Sequence, residues 1–158
     1  TRSVRFPGII STVTLPGGGT TDYAVEIYYE AIKAGRFTCP VPGDVYMDMI
    51  YMPDAIRATI ELMSAPAEQI HVRSSYNVAG VSFNPRQLAE AIRKRKPEFR
   101  IDYRPDHRQA IADSWPHSLD DTYARADWGW KPTIGLQQMV DDMLLHIGKT
   151  IRQCSHAA

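Results

Sequence analysis

Apolar residues along this chain switch repeatedly between two spacings, and that alternation restricts the fold more than any single motif does. A period of two marks a strand, and a period between three and four marks a helix face. Ser3 to Ser11 reads as a buried strand broken at Pro7-Gly8, because proline cannot donate to a sheet ladder. Ala24, Ile27, Tyr28, Ala31 and Ile32 share one face of a helix from Thr21 to Ala34, with Gly35 as its C-cap. Phe37 to Pro42 is a short extended piece, and Tyr46 to Tyr51 is strand-like. Pro53 then opens a helix carrying Ala55, Ile56, Thr59, Ile60 and Met63 on one face, which Pro66 ends. A strand from Arg73 to Ala79 closes at Gly80, and Asn84-Pro85 begins a helix through Lys96 with Leu88, Ala91 and Ile92 inward. Phe99 to Tyr103 alternates as a half-buried strand, and Pro105 to Pro116 is irregular and polar. A capping box at Ser118 to Asp121 starts a short helix ending near Trp128. The last helix, Gly135 to Lys149, has Leu136, Met139, Val140, Met143, Leu144 and Ile147 in core spacing, and residues past Arg152 read as a frayed tail. The order predicts an α/β fold: a small mixed sheet with helices packed on it.

Composition excludes several partners. The 158 residues suffice for one domain or a piece of a larger one, and 18 basic residues balance 18 acidic ones. That balance offers nothing to nucleic acid or to an anionic membrane surface. No apolar run has the length of a membrane span, and no leader-like segment opens the chain. Cys39 and Cys154 lack CxxC spacing and read as reduced thiols, and the histidines are too scattered for a metal site. The start at Thr1, running directly into a strand, is read as a sign of a fragment or a processed form.

The richest local signal is Pro16-Gly17-Gly18-Gly19-Thr20-Thr21-Asp22-Tyr23, a flexible loop feeding a helix N-terminus. Free N–H groups and the positive end of the helix dipole can hold a carboxylate or phosphate there. Equally, the stretch can be a plain loop with a threonine N-cap, and the lysine of a phosphate-binding P-loop is absent. No G-x-S-x-G elbow surrounds Ser114, and the Asp106-His107-Arg108 cluster reads as surface. Trp128 and Trp130 read as packing residues, whereas Trp115, in a polar loop, can close over a ligand.

Arg5-Phe6-Pro7-Gly8-Ile9-Ile10, the Gly-Gly-Gly-Thr-Thr-Asp-Tyr-Ala block, Met52-Pro53-Asp54-Ala55, Ser75-Tyr76-Asn77-Val78-Ala79-Gly80, Arg108 to Pro116 and Asp127 to Pro132 occur in family order. Together they resemble the C-terminal half of the short-chain-type NAD-dependent L-threonine 3-dehydrogenases, extended short-chain dehydrogenases related to the nucleotide-sugar epimerases. The resemblance implies the C-terminal part of an extended Rossmann-type fold, with residues 1–152 as the substrate-binding part and 153–158 as a tail. It implies L-threonine as substrate, NAD as cofactor and 2-amino-3-ketobutyrate as product. Thr20, Thr21 and Asp22 match the substrate loop, with Asp22 facing the ammonium and loop N–H groups facing the carboxylate. Trp115 matches the loop that closes the pocket, Arg108 fits more loosely, and Pro7, Gly8 and Ile9 match the turn facing the nicotinamide.

In that family a glycine-rich loop binds NAD and a Tyr-x-x-x-Lys pair moves the proton. Both are expected to be missing here, every tyrosine being read as outside such a pair. The isolated chain is therefore expected to be inactive, with pairing into a homodimer possible only with the missing half. A non-catalytic remnant acting by binding is the alternative, and an epimerase lobe a weaker one. The family implies mitochondria for an animal protein and cytoplasm for a bacterial one, and the sequence does not choose.

Overall fold

A computed structural model of the chain describes residues 1–156. Its strands are β1 (Val4–Arg5), β2 (Gly8–Ile10), β3 (Arg36–Cys39), β4 (Met47–Tyr51), β5 (Tyr76–Asn77), β6 (Val81–Phe83) and β7 (Arg100–Tyr103). Its helices are α1 (Tyr23–Lys33), α2 (Met52–Ser64), α3 (Pro85–Arg93), α4 (Arg108–Asp113), α5 (Thr122–Trp128) and α6 (Leu136–His156). The mixed α/β expectation holds, with the strands shared among short sheets. β1 pairs parallel with β5, β3 pairs parallel with β7, and β4 lies between parallel β2 and antiparallel β6. The break expected at Pro7-Gly8 is what separates β1 from β2 and sends them to different sheets. Gly80 makes the same kind of division between β5 and β6. A Cβ there would lie 2.2 Å from the Met49 carbonyl oxygen, so only glycine can press this close to β4.

Two helix ends follow directly from sequence. Gly35 takes a φ of +66°, and its N–H donates to the Glu30 carbonyl, closing α1. The Asn84 side chain accepts from the Gln87 N–H while the Gln87 side chain accepts from the Asn84 N–H, a complete capping box on α3. α6 packs against α1 and α3 with Met139, Val140, Met143 and Ile147 fully buried, as its spacing predicts. It also runs on past Arg152 through His156, so the expected tail begins as helix, and Ala157 and Ala158 lie outside the described residues. Neither α4 nor β6 is anticipated by the apolar spacing, both being short. The box expected at Ser118 is absent: Asp121 precedes α5, and Asp120 binds the N–H and hydroxyl of Thr122.

α2 corrects the periodicity most clearly. Asp54, Ala55, Ala58 and Leu62 are its buried residues, whereas Ile56, Ile60 and Met63 are exposed. A polar anchor sets the rotation. Asp54 is 2% exposed and accepts from the N–H groups of Thr133 (2.9 Å) and Ile134 (3.0 Å) and from the Thr133 hydroxyl (2.7 Å). Arg57 donates to the same carboxylate at 3.0 Å, to Glu61 and to the Lys131 carbonyl, with its guanidinium 4.6 Å from the centre of a Trp130 ring. Turning Ile56 inward would leave this carboxylate and its donors unmatched, a cost exceeding the apolar gain.

Burial alone would raise the Asp54 carboxyl, but the bonds from Thr133, Ile134 and Arg57 bring it below its ordinary range. The folded state therefore favours the anion. Its contribution is present above the unfolded pKa and is lost as pH falls through the depressed value. Asp54→Ala is expected to cost about 3 kcal/mol in urea unfolding at neutral pH, with the difference shrinking in acid. Ile56→Ser should change stability by only about 0.5 kcal/mol. Equal losses would contradict this orientation of α2.

Candidate functional site

The glycine loop closes on itself. Asp22 Oδ2 accepts from the N–H of Gly17 at 2.6 Å and of Gly19 at 2.8 Å, and the Asp22 N–H returns to the Gly19 carbonyl. Gly18 between them has a φ of +92°, a conformation natural only to glycine. Two of the N–H groups expected to cradle a substrate carboxylate are thus engaged by Asp22, through the Oδ2 oxygen of the carboxylate expected to face the ammonium. Asp22 gives α1 no side-chain cap; its bonds run backward into the loop. It shares a hollow of about 180 Å³ with Ile9, Ser11, Val25 and Met52. Thr20 is buried, and Thr21 lies against Gly8: a Cβ on Gly8 would stand 2.9 Å from the Thr21 methyl and 2.6 Å from Met49 Sδ.

A second cavity has a volume of about 340 Å³. Phe6, Pro7, Gly8, Trp115, Pro116 and Leu119 form its apolar walls, and Arg5 and Asp48 are its charged residues. It brings the expected Pro7-Gly8 turn opposite the expected lid residue Trp115, while Ile9 and Asp22 line the smaller hollow. Three bonds fix the lid loop. The Ser82 hydroxyl donates to the His117 carbonyl (2.7 Å), the Leu119 N–H to Asp48 Oδ2 (2.9 Å), and the Asn77 amide to the Asp120 carbonyl (3.1 Å).

Asp48 was not singled out by sequence. It is 5% exposed, in a strand otherwise made of Met, Ile and Tyr. A carboxylate inside such an apolar run is the signal that marks it, since unpaired buried charge is expensive. Burial raises its carboxyl above the ordinary range, against hydrogen bonds led by that from Leu119.

The expected absence of a Tyr-x-x-x-Lys spacing is wrong at one position: Tyr29 and Lys33 on α1 have it. The pair lines a separate open groove of about 510 Å³ with Glu26, Glu30, Leu15 and Phe37. There the Lys33 ammonium lies over the Tyr29 ring, 5.6 Å from its centre. Neither residue lines the cavity of Gly8 and Trp115. The Asp106-His107-Arg108 cluster is closed as well. The Arg108 guanidinium binds both Asp106 oxygens, and that hydrogen bonding lowers the Asp106 carboxyl to about 2. Among the described residues no group of side chains has the arrangement of a metal site, and no helix is long and apolar enough to cross a membrane.

No family model matches the chain. It is 53% identical over 145 residues to an uncharacterized epimerase/dehydratase of Staphylococcus haemolyticus, covering 91% of this chain and 46% of that protein. It is 49% identical over 152 residues to the mitochondrial L-threonine 3-dehydrogenase of Bos taurus, covering 96% of this chain and 40% of the relative. The holo form of the GalE-like L-threonine dehydrogenase of Cupriavidus necator superposes with a TM-score of 0.90 at 59% identity, over 92% of this chain and 47% of that one. The chain thus spans less than half the length of these relatives, and what it matches is their C-terminal part.

Two substitutions test the geometry. Gly8→Ala should cost about 1–3 kcal/mol, because its methyl must displace Met49 or Thr21. Asp48→Asn should do the opposite. With the folded-state pKa raised, the ionised carboxylate opposes folding at neutral pH, and that penalty vanishes below the unfolded pKa. The variant should gain up to about 1 kcal/mol at pH 7, with the gain shrinking as pH falls through the carboxylate range. Calorimetry across pH measures both, and a lower Tm for Asp48→Asn at pH 7 would contradict the reading.

Proposed function

We propose that this chain, similar over nearly all its length to the C-terminal part of L-threonine 3-dehydrogenases of the epimerase/dehydratase type, supplies the substrate-facing wall and lid of an NAD-dependent enzyme of that activity. The observation that carries this reading is the cavity holding Pro7-Gly8 on one side and Trp115 on the other. Its apolar walls and volume suit a small amino acid beside a planar ring, and Arg5 offers a guanidinium to a carboxylate. The residues present fit the nicotinamide end of NAD: the Pro7-Gly8-Ile9 backbone would face that ring. Bound NAD would supply the hydride acceptor for oxidising the threonine alcohol to the ketone.

The work assigned to the chain itself is binding, orientation and exclusion of water. Trp115 covers the cavity from a loop fixed by three hydrogen bonds, so closing it costs little further ordering. Thr20 and Thr21 shape the substrate side through the contact of Thr21 with Gly8, and Asp22 stiffens their loop. No tyrosine or lysine lines the cavity to take the hydroxyl proton. In this reading residues 1–152 form the substrate-binding unit. That missing base also favours the second reading, a chain that binds without turnover by itself.

The purified chain with L-threonine and NAD is expected to form no NADH, followed at the nicotinamide absorbance band. L-threonine is expected to shift the backbone amide signals of Gly8 and Leu119 in a saturable way by NMR. Turnover would place a proton acceptor in this chain, and unmoved amides would remove the cavity from the substrate site.

A further inference from the structure

The two residues of β5 hold α5 at both ends. The Asn77 amide donates to the Asp120 carbonyl at 3.1 Å, just before the helix begins at Thr122. The Tyr76 hydroxyl donates to Asp127 Oδ2, just before the helix ends at Trp128. A helix of seven residues is about 10 Å long, so two adjacent side chains that point apart can span it. At the second end the bonding extends outward to His71. The His71 N–H donates to Asp127 Oδ2 (3.2 Å) and to the Tyr76 oxygen (3.1 Å), which also accepts from the Val72 N–H (3.1 Å). His71 Nδ1 stands 3.1 Å from Asp127 Oδ1. Tyr76 is buried and packs edge-on against Trp128. The Asp127 side chain is 9% exposed and that of His71 is 71% exposed. A nearly buried carboxylate therefore has, as its ion-pair partner among the described residues, an imidazole open to solvent.

We infer that His71, Asp127 and Tyr76 form a proton-responsive clamp, which tightens the hold of β5 on α5, and through Asp120 on the Trp115 loop, when His71 becomes a cation. Asp127 is the acceptor at Oδ1, so Nδ1 carries a hydrogen in both charge states of the ring. The added proton goes to Nε2, breaks none of these bonds and turns the Nδ1 contact into a charge-assisted one. The groups facing His71 are Asp127 of α5 and Tyr76 of β5, while Glu68 and Arg73, its nearest charged neighbours in sequence, form no ion pair with it. Hydrogen bonding, led by the Tyr76 hydroxyl, lowers the Asp127 carboxyl below its ordinary range. The acceptor thus stays ionised across the range in which imidazoles change charge. In stronger acid the Asp127 contribution is lost as pH falls through that depressed value, and the clamp opens. The clamp belongs to the fold, and its working does not require the cavity to hold threonine.

The test is an NMR pH titration of the whole chain without ligand. It follows the His71 ring signals together with the protection of the Arg125 and Trp130 amides against hydrogen exchange, corrected for the intrinsic pH dependence of exchange. These amides donate to the Asp121 and Ala124 carbonyls and so report on both turns of α5. Protection is expected to rise about threefold as the ring takes up its proton, the scale of a solvent-exposed ion pair, and to rise less at high salt. The Thr122 amide signal is expected to shift with the same midpoint. His71→Gln, a solvent-facing change that keeps a neutral donor, should abolish both responses and leave protection at its alkaline level. Constant protection throughout the ring titration overturns the clamp. So does a response that survives in His71→Gln, because that response would belong to His117, the imidazole of the loop itself. A response at Arg125 and Trp130 that leaves Thr122 unmoved overturns the link to the loop.

Discussion

The close approach of backbone to β4 is the constraint from which the rest of the arrangement follows. Every residue of this strand is buried, and a glycine lies against Met49 from each neighbouring segment, Gly8 against its sulfur and Gly80 against its carbonyl. Because both neighbours come so near, β2 and β6 can hydrogen-bond to β4 along its two edges, one parallel and one antiparallel. Period two then aims Asp48 at the cavity side. The chain passes from Tyr51 directly into α2, so the same strand also positions Asp54 for the Thr133-Ile134 backbone. A methyl group at either glycine would disturb both.

What the sequence discloses depends on how local the cause is. The break at Pro7, the end of α1 at Gly35, the start of α3 at Asn84 and the core stripe of α6 each depend on residues within a turn of one another. All appear where local chemistry puts them. α2 has two apolar faces, and the choice between them is made by a carboxylate whose partners lie some 80 positions away. No periodicity contains that information. α4 and β6 are too short to carry a pattern of their own.

The candidate site divides in the same way. Pro7, Gly8 and Trp115 are brought to one cavity although about 107 positions separate Gly8 from Trp115, and the relatives found by sequence and by fold agree with the family the motifs resemble. The glycine loop was legible as a special conformation but not in its bonding. Its N–H groups and the nearest carboxylate satisfy one another, the lowest-cost arrangement for polar groups that have no other partner. Asp48 stayed hidden because a lone acid in a strand carries meaning only once its burial and its neighbours are known.

The three bonds on the Trp115 loop have a mechanical consequence. Asp48 and Ser82 belong to the sheet of β2, β4 and β6, whereas Asn77 belongs to the sheet of β1 and β5. The loop is therefore a rivet between two sheets that share no ladder bond with each other. Any shear between them bears on His117, Leu119 and Asp120, the residues that follow Trp115 in the loop. Cover and frame behave as one cooperative unit, so the rigidity of the cavity is a property of the joint between the sheets and not of the loop alone.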